Sequence, residues 1–449
     1  MEKDYSENKK CYIWGNGVAF RRYLNQLPNQ LKIDAVIDND EKKWGETEIQ
    51  IDGQKISCIA PKDLPEDAVV IIAIENPKTV LEIKNYLKQR SILFYHIYEV
   101  VDKKYAGNTA LFQKEQEYDL NKIVRFLDVT VPVYACNLEC LYCYLGQNDV
   151  CLNSIDAIYH APEYIRYALS KSRIGGVAFI NFCGAGETLL CHSLVQIVNE
   201  LIKEGHYIQI VTNATISKKI DEFINSDIDL SHLFFKCSLH YRQLKEKGLL
   251  STFADNVKKL WNAGASITVE MVPEDELIPL IEEVKKFCME HFGALPHISV
   301  ARDERFKDFR RLSEYSEQEY REIWGAFDSN LFEFKMNHFE SQSGRECKAG
   351  VWAGELNIAT GELKKCVENQ RLCNIYENIE DEIYFQQVGK ECPLPYCFNC
   401  HAYLTLGLIP EVKAPTYLEM RDRITCDGNH WIHDKMRKVM NQKLYINNK

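Results

Sequence analysis

Short apolar runs alternate with amphipathic stretches through the first part of the chain. Residues 11–15, 33–38, 69–74 and 93–100 are strand-like, and 18–26 and 77–89 carry helical periodicity, with Val80, Ile83 and Leu87 on one face of the second. Strand and helix in turn predict a small parallel α/β sheet. A charged stretch poor in aliphatic clusters, 106–121, reads as a linker. The alternation then resumes. Strand-like runs fall at 129–133, 176–182, 207–212, 233–238, 266–272 and 297–300, and helical stretches at 155–170, 188–204, 216–226, 252–263 and 277–291. This pattern predicts six β/α units in series, with parallel strands joined by crossover helices. Beyond them 311–335 is charged and helical, and two short strands, 355–358 and 363–365, flank Gly361 as a hairpin. The domains expected are 1–105, the linker 106–121, 122–312 and 313–449.

Composition narrows the class. The 449 residues carry a net charge of −11, which suggests neither a nucleic-acid nor an anionic-membrane partner. The longest apolar run, 68–74, is too short to span a bilayer, and the charged first ten residues hold no apolar core, so no signal peptide is expected. Cysteine is abundant, at 17 residues, and clusters at 136–143 and 347–426. That distribution suits metal or cluster binding in a reducing cytoplasm rather than a disulfide framework. Cys11, Cys58, Cys191, Cys237 and Cys288 are scattered and read as small core residues.

The first cluster is the sharpest signal. Cys136, Cys140 and Cys143 follow the strand at 129–133 with the spacing C-x3-C-x2-C, and Tyr142 precedes the third. Three thiolates can hold three corners of an iron–sulfur cube and leave the fourth iron open to a small molecule. The other reading is a zinc knuckle, for which Cys151 is the nearby fourth ligand. One strand later comes Gly184, Ala185, Gly186 and Glu187, where missing side chains expose backbone groups to a ligand.

Loop, aromatic and glycine turn together resemble the radical S-adenosylmethionine superfamily, with one glycine replaced by Ala185. The resemblance implies a partial (β/α)6 barrel and a [4Fe-4S] cluster on Cys136, Cys140 and Cys143. S-adenosylmethionine would be chelated by the open iron. Tyr142 would lie near its adenine, Gly184 to Glu187 near its ammonium, Ser238 near the ribose or carboxylate, and Val300 and Ala301 in backbone contact with the adenine. His240 and Glu270 are the candidate catalytic side chains; a hydrogen-bonded structural histidine and a paired structural acid are the competing readings.

The second cysteine set resembles the SPASM and twitch extensions that follow such barrels. By that resemblance Cys347, Cys366, Cys397 and Cys400 would hold an auxiliary [4Fe-4S] cluster, with Cys392 able to replace one of them and Cys373 and Cys426 held in reserve. Four cysteines can also hold zinc. The expected extension is a cysteine-rich β-hairpin followed by helix.

In the N-terminal α/β unit, Gly15 and Gly17 close the first strand and Asp38 ends the second, a partial dinucleotide fingerprint whose third glycine position is Phe20. A tight strand-to-helix turn accounts for the glycines equally. The layout resembles Rossmann-like domains of sugar and surface-polysaccharide enzymes.

The function implied is reductive cleavage of S-adenosylmethionine to a 5′-deoxyadenosyl radical, with the electron supplied by a flavodoxin or ferredoxin. Hydrogen would be taken from a carbohydrate or nucleotide-linked small molecule, in an oxidation, epimerisation or cross-link. The alternatives are a peptide- or protein-modifying maturase and a non-catalytic iron–sulfur redox protein.

Overall fold

The structure is a computed structural model that describes residues 10–24, 27, 31–51, 54–74, 76–97, 100, 118–147, 153–306, 308–339, 344–366, 370–390 and 392–448. Most of the expected linker and Cys151 lie outside these residues. The chain forms two compact units, one of residues 1–117 with 158–167 and the other of 118–157 with 168–449.

The first unit is built on six strands: β1 (Cys11–Trp14), β2 (Ile33–Ile37), β3 (Gly45–Ile51), β4 (Gln54–Ile59), β5 (Val69–Ile72) and β6 (Leu93–His96). Their order is β3-β4-β2-β1-β5-β6. Every pairing is parallel except β3 with β4, an antiparallel edge hairpin that the apolar runs did not reveal. The signal was there in the Asp52-Gly53 dipeptide and the alternation of Ile49 and Ile51 with polar residues. The fully buried β1 and β5 are interior strands, each paired on both sides, as continuous apolar runs require. The helix Pro77–Gln89 forms as expected, with Asn76 capping the Thr79 N–H and Val80, Ile83 and Leu87 buried.

The second unit holds a nine-stranded sheet of β7 (Ile123–Val131), β8 (Val177–Gly184), β9 (Tyr207–Thr212), β10 (Leu233–Ser238), β11 (Ser266–Met271), β12 (His297–Ile298), β13 (Ala353–Asn357), β14 (Glu362–Lys364) and β15 (Arg371–Asn374). From β7 to β12 all neighbours are sequential and parallel, as the six-unit pattern predicts. β13 pairs parallel with β7, and β14 and β15 extend the sheet antiparallel. Gly361, at φ +77°, makes the β13–β14 turn; a Cβ there would stand 2.3 Å from the Asn374 side chain.

Several boundaries differ from the sequence reading; the strands expected over 93–100 and 297–300 end at His96 and Ile298, and the helix expected over 188–204 begins at Leu194. β7 starts at Ile123, six positions earlier than the apolar run, because Arg125 and Asp128 interrupt the run without ending the strand. The helix expected over 155–170 shrinks to Pro162–Ala168, with a separate turn at Lys171–Ile174. The scattered cysteines Cys11, Cys58, Cys191, Cys237 and Cys288 are buried. Among the described residues, no helix is long and apolar enough to cross a membrane.

Candidate active site

The carboxyl ends of β7, β8 and β9 come together around the first cysteine loop. Gly186 lies directly against it: a Cβ at Gly186 would stand 2.1 Å from the Ala135 carbonyl oxygen. That same oxygen accepts the Glu187 N–H at 2.9 Å. Only glycine lets the two backbones approach so closely. The glycine turn and the residue before Cys136 are therefore fixed to each other.

Glu187 is buried and accepts three hydrogen bonds. Its Oε1 accepts from the Thr212 hydroxyl at 2.5 Å and the Leu189 N–H at 3.0 Å, and its Oε2 accepts from the Asn213 N–H at 2.7 Å. Burial pushes its carboxyl above the usual range while these donors pull the other way. Glu187 thus braces the ends of β8 and β9. Asn213 continues the brace into the cysteine loop. Its side-chain amide donates to Asn137 Oδ1 at 2.8 Å and stands 3.9 Å from Cys136 Sγ. Thr215 completes a ring, accepting from Asn137 at 2.7 Å and donating to Asn213 at 2.7 Å. The sequence reading passed over Asn137 and Thr215; a polar run at the end of a parallel strand was the available signal.

The three thiols are half-buried in this loop. Cys140 is pushed up to about 12, chiefly by burial and further by Cys143 and Cys136. The Leu138 N–H points at Cys136 Sγ from 3.5 Å. The Tyr142 hydroxyl meets His240 Nδ1 at 2.5 Å, and the two rings stack at 5.9 Å. Burial lowers His240 to about 4, so the ring is neutral near pH 7 and fit to accept from the phenol. The partner of His240 is Tyr142.

Other sequence candidates fall as follows. Ser238 ends β10, in register with Glu270 on β11. Val300 and Ala301 are buried just past β12, and the Ala301 N–H donates to the Tyr320 hydroxyl at 3.1 Å. Glu270 is a paired acid: Arg421 lies 2.7 Å away and Lys236 3.3 Å. Burial raises its carboxyl, but Arg421, Lys236 and His297 outweigh that and hold it below its ordinary range. A carboxylate held this way is a poor proton acceptor.

A row of polar side chains crosses the sheet. Asp128 on β7 is in register with Asn181 on β8, and Asn181 with Gln209 on β9. Asn181 donates to Asp128 Oδ1 at 2.8 Å, Gln209 to Asn181 at 2.5 Å, and the Tyr417 hydroxyl to Gln209 at 2.6 Å. Asp128 Oδ2 accepts from Asn399 at 2.9 Å.

Asn399 lies between Cys397 and Cys400, where the second cysteine set gathers. Cys397 is pushed well up, first by burial and then by Cys400, Cys366 and Cys347 around it. Cys392 acts on Cys347 in the same way. Cys373 sits on β15 near Arg173 and Arg371, and Cys426 is exposed. Among the described residues, no three or more His, Cys, Asp or Glu side chains close round a single metal ion.

No family model matches the chain, and no curated protein matches it. Among solved structures it is similar to anSMEcpe with bound AdoMet, at 16% identity and TM-score 0.38 over 56% of this chain and 75% of that one. It is also similar to Streptococcus suis SuiB bound to precursor peptide SuiA, at 15% identity and TM-score 0.39 over 68% and 76%. A third is BtrN in complex with AdoMet and 2-DOIA, at 16% identity and TM-score 0.30 over 58% and 81%.

Proposed function

We infer that this chain is a radical S-adenosylmethionine enzyme, its six parallel strands forming the partial (β/α)6 barrel of that class. The observation that carries the reading is the fixed approach of Gly186 and Glu187 to Ala135, which makes the three-cysteine loop and the glycine turn one piece. Cys136, Cys140 and Cys143 would hold a [4Fe-4S] cluster, and Cys347, Cys366, Cys397 and Cys400 an auxiliary one. Both sets fit a cluster in donor type, and burial together with neighbouring thiols raises Cys140 and Cys397 alike.

When bound, the cluster and S-adenosylmethionine supply a 5′-deoxyadenosyl radical, after one-electron reduction by a flavodoxin- or ferredoxin-type donor. The chain's part is to bind and orient. Gly184, Ala185 and Gly186 offer backbone carbonyls to an ammonium group. Glu187 keeps that turn in place without spending its own oxygens on the ligand. The Leu138 N–H and the Asn213 amide stabilise negative charge on Cys136 Sγ. Tyr142, oriented by His240, and the backbone at Val300 and Ala301 would flank the adenine, with Ser238 toward the ribose.

The hydrogen donor in this reading is a carbohydrate or nucleotide-linked small molecule, and the auxiliary site takes the electron left on it. We base this substrate class on the polar residues that the strands carry, Asp128, Asn181, Gln209, Lys236 and Glu270.

The test is anaerobic reconstitution followed by reduction with S-adenosylmethionine present. The protein should hold about eight irons and release 5′-deoxyadenosine, and Cys140→Ala should abolish release. Cleavage that persists in Cys140→Ala would overturn the assignment. Turnover of a peptide alone, with sugars and nucleotide-linked compounds inert, would replace the substrate class and leave the rest standing.

A further inference from the structure

The glycine turn of the first unit opens a second site. A cleft of about 320 Å³ lies past the carboxyl ends of β1, β2 and β5, lined by Trp14, Asn16, Gly17, Asp38, Lys43 and Thr79 among others. β1 stands between β2 on one side and β5 on the other. The chain crosses from β1 to β2 on one side and, after β4, returns to β5 on the other, and open α/β sheets leave a crevice for ligands at such a switch.

The two glycines do different work. Gly15 has φ +119°, and a Cβ there would stand 2.8 Å from the Ala73 carbonyl oxygen. It is required by the fold, because β1 and β5 crowd each other there. A Cβ on Gly17 would meet nothing within 4 Å. Packing gives no reason for glycine at that position; its bare backbone faces open space.

The polar groups around the cleft are held in place with capacity to spare. Asp38 accepts from the Asn16 N–H at 3.0 Å, the Asp40 N–H at 3.0 Å and the Lys43 ammonium at 2.9 Å. A carboxylate has about four acceptor sites, so one is left. Burial alone would raise Asp38, but these donors outweigh it and keep the group ionised. Lys43 gives one of its three N–H bonds to Asp38 and keeps two. The Asn16 amide leans on the Cys58 thiol, while its Oδ1 is buried with no hydrogen-bond partner. An anchored acceptor and a cation with free donors therefore line one cleft, with Asn16 beside them.

We propose that this cleft binds a mononucleotide unit, with Lys43 on the phosphate and Asp38 and Asn16 on the sugar and base polar groups. A dinucleotide fits less well. The cleft lies at the small end of the roughly 300–1,000 Å³ range of ligand pockets. Phe20, fully buried, fills the position where a third glycine would let a pyrophosphate-binding helix pack close. The unit is either a free nucleotide or the nucleotide handle of a larger compound; the chemistry recognised is the same. The site is independent of the function proposed above.

The experiment is calorimetric titration of the reconstituted full chain, with S-adenosylmethionine present throughout so that its own site is filled. The probes are AMP, UMP, UDP-glucose, NAD, adenosine and inorganic phosphate. AMP or UMP should bind once per chain. Adenosine and inorganic phosphate should each bind at least about tenfold more weakly. Lys43→Ala should weaken AMP or UMP by at least about tenfold and Asp38→Asn by a similar factor, with 5′-deoxyadenosine release unchanged in both. UDP-glucose binding more tightly than UMP assigns the handle; equal binding assigns the free nucleotide. The proposal is overturned by absence of saturable binding, by variants that bind as the parent does, by phosphate binding as well as AMP, or by NAD binding more tightly than AMP or UMP.

Discussion

The side-chain amide of Asn399 donates to Asp128 Oδ2 at 2.9 Å, across 271 positions of sequence. Asp128 lies on β7, the strand that leads to Cys136, and Asn399 sits between Cys397 and Cys400. One buried carboxylate thus ties the loop of the second cysteine set to the strand that launches the first. Asp128→Ala would leave the Asn181 and Asn399 amides without their acceptor. The expected loss is about 1–3 kcal/mol per unsatisfied group, read from chemical denaturation. Iron content should fall as well, because Asn399 loses its anchor.

Gly186→Ala places a methyl group where the Ala135 oxygen already is. The backbones must separate, and the turn and cysteine loop move apart. S-adenosylmethionine binding should weaken by at least about tenfold, or 1.4 kcal/mol, in equilibrium dialysis, while Gly17→Ala, in open space, leaves it unchanged.

Glu187→Gln keeps the shape but turns an acceptor into a donor. Whichever way the amide is placed, it faces at least one of the Thr212 hydroxyl, the Leu189 N–H and the Asn213 N–H with a hydrogen of its own. The hydroxyl can rotate; the two backbone donors cannot. A loss of about 1–3 kcal/mol is expected in denaturant titration. The Asn213 contact to Cys136 should loosen with it, visible as a changed reduction potential of the barrel cluster.

Arg421→Met removes the nearest counter-charge of buried Glu270 and leaves Lys236, at 3.3 Å, as the next cation. Breaking a buried pair from one side costs about 3–5 kcal/mol. The double variant Glu270→Leu with Arg421→Met should recover much of that loss, since an apolar pair of similar volume is tolerated.

The first unit should be acid-labile through Glu163. Burial would raise this carboxyl, but His96 and the ion pair with Lys84 outweigh it and lower it from 4.5 to about 2. A depressed carboxyl contributes stability that is fully present above its unfolded value and lost as pH falls through its folded value. Its contribution, about 3 kcal/mol in order of magnitude, should therefore fade between about pH 4.5 and 2. Glu163→Gln should flatten that limb of the stability–pH curve measured by denaturant titration.

Local signals were read correctly where one short segment holds all the information. Cys136, Cys140 and Cys143 fall in one loop, and the six apolar runs each make a parallel strand because such strands are buried on both faces. Boundaries slipped where a charged residue enters a strand for a distant reason. Arg125 and Asp128 broke the apolar run of β7, and the partners that make Asp128 tolerable there lie on β8 and in the second cysteine loop. The β3–β4 hairpin was missed because its strands are polar on one side.

The sequence alone determined the element order, the cysteine loop and the glycine turn, since spacing and periodicity are properties of neighbours along the chain. The tertiary structure decided what those elements do for one another. It tied Glu187 to the ends of β8 and β9, gave His240 to Tyr142, paired Glu270 with Arg421, and set Gly17 beside open space while Gly15 serves the fold. Each outcome depends on which buried polar group finds its partner across the sheet. Pairing of that kind is fixed by three-dimensional register, not by distance along the chain.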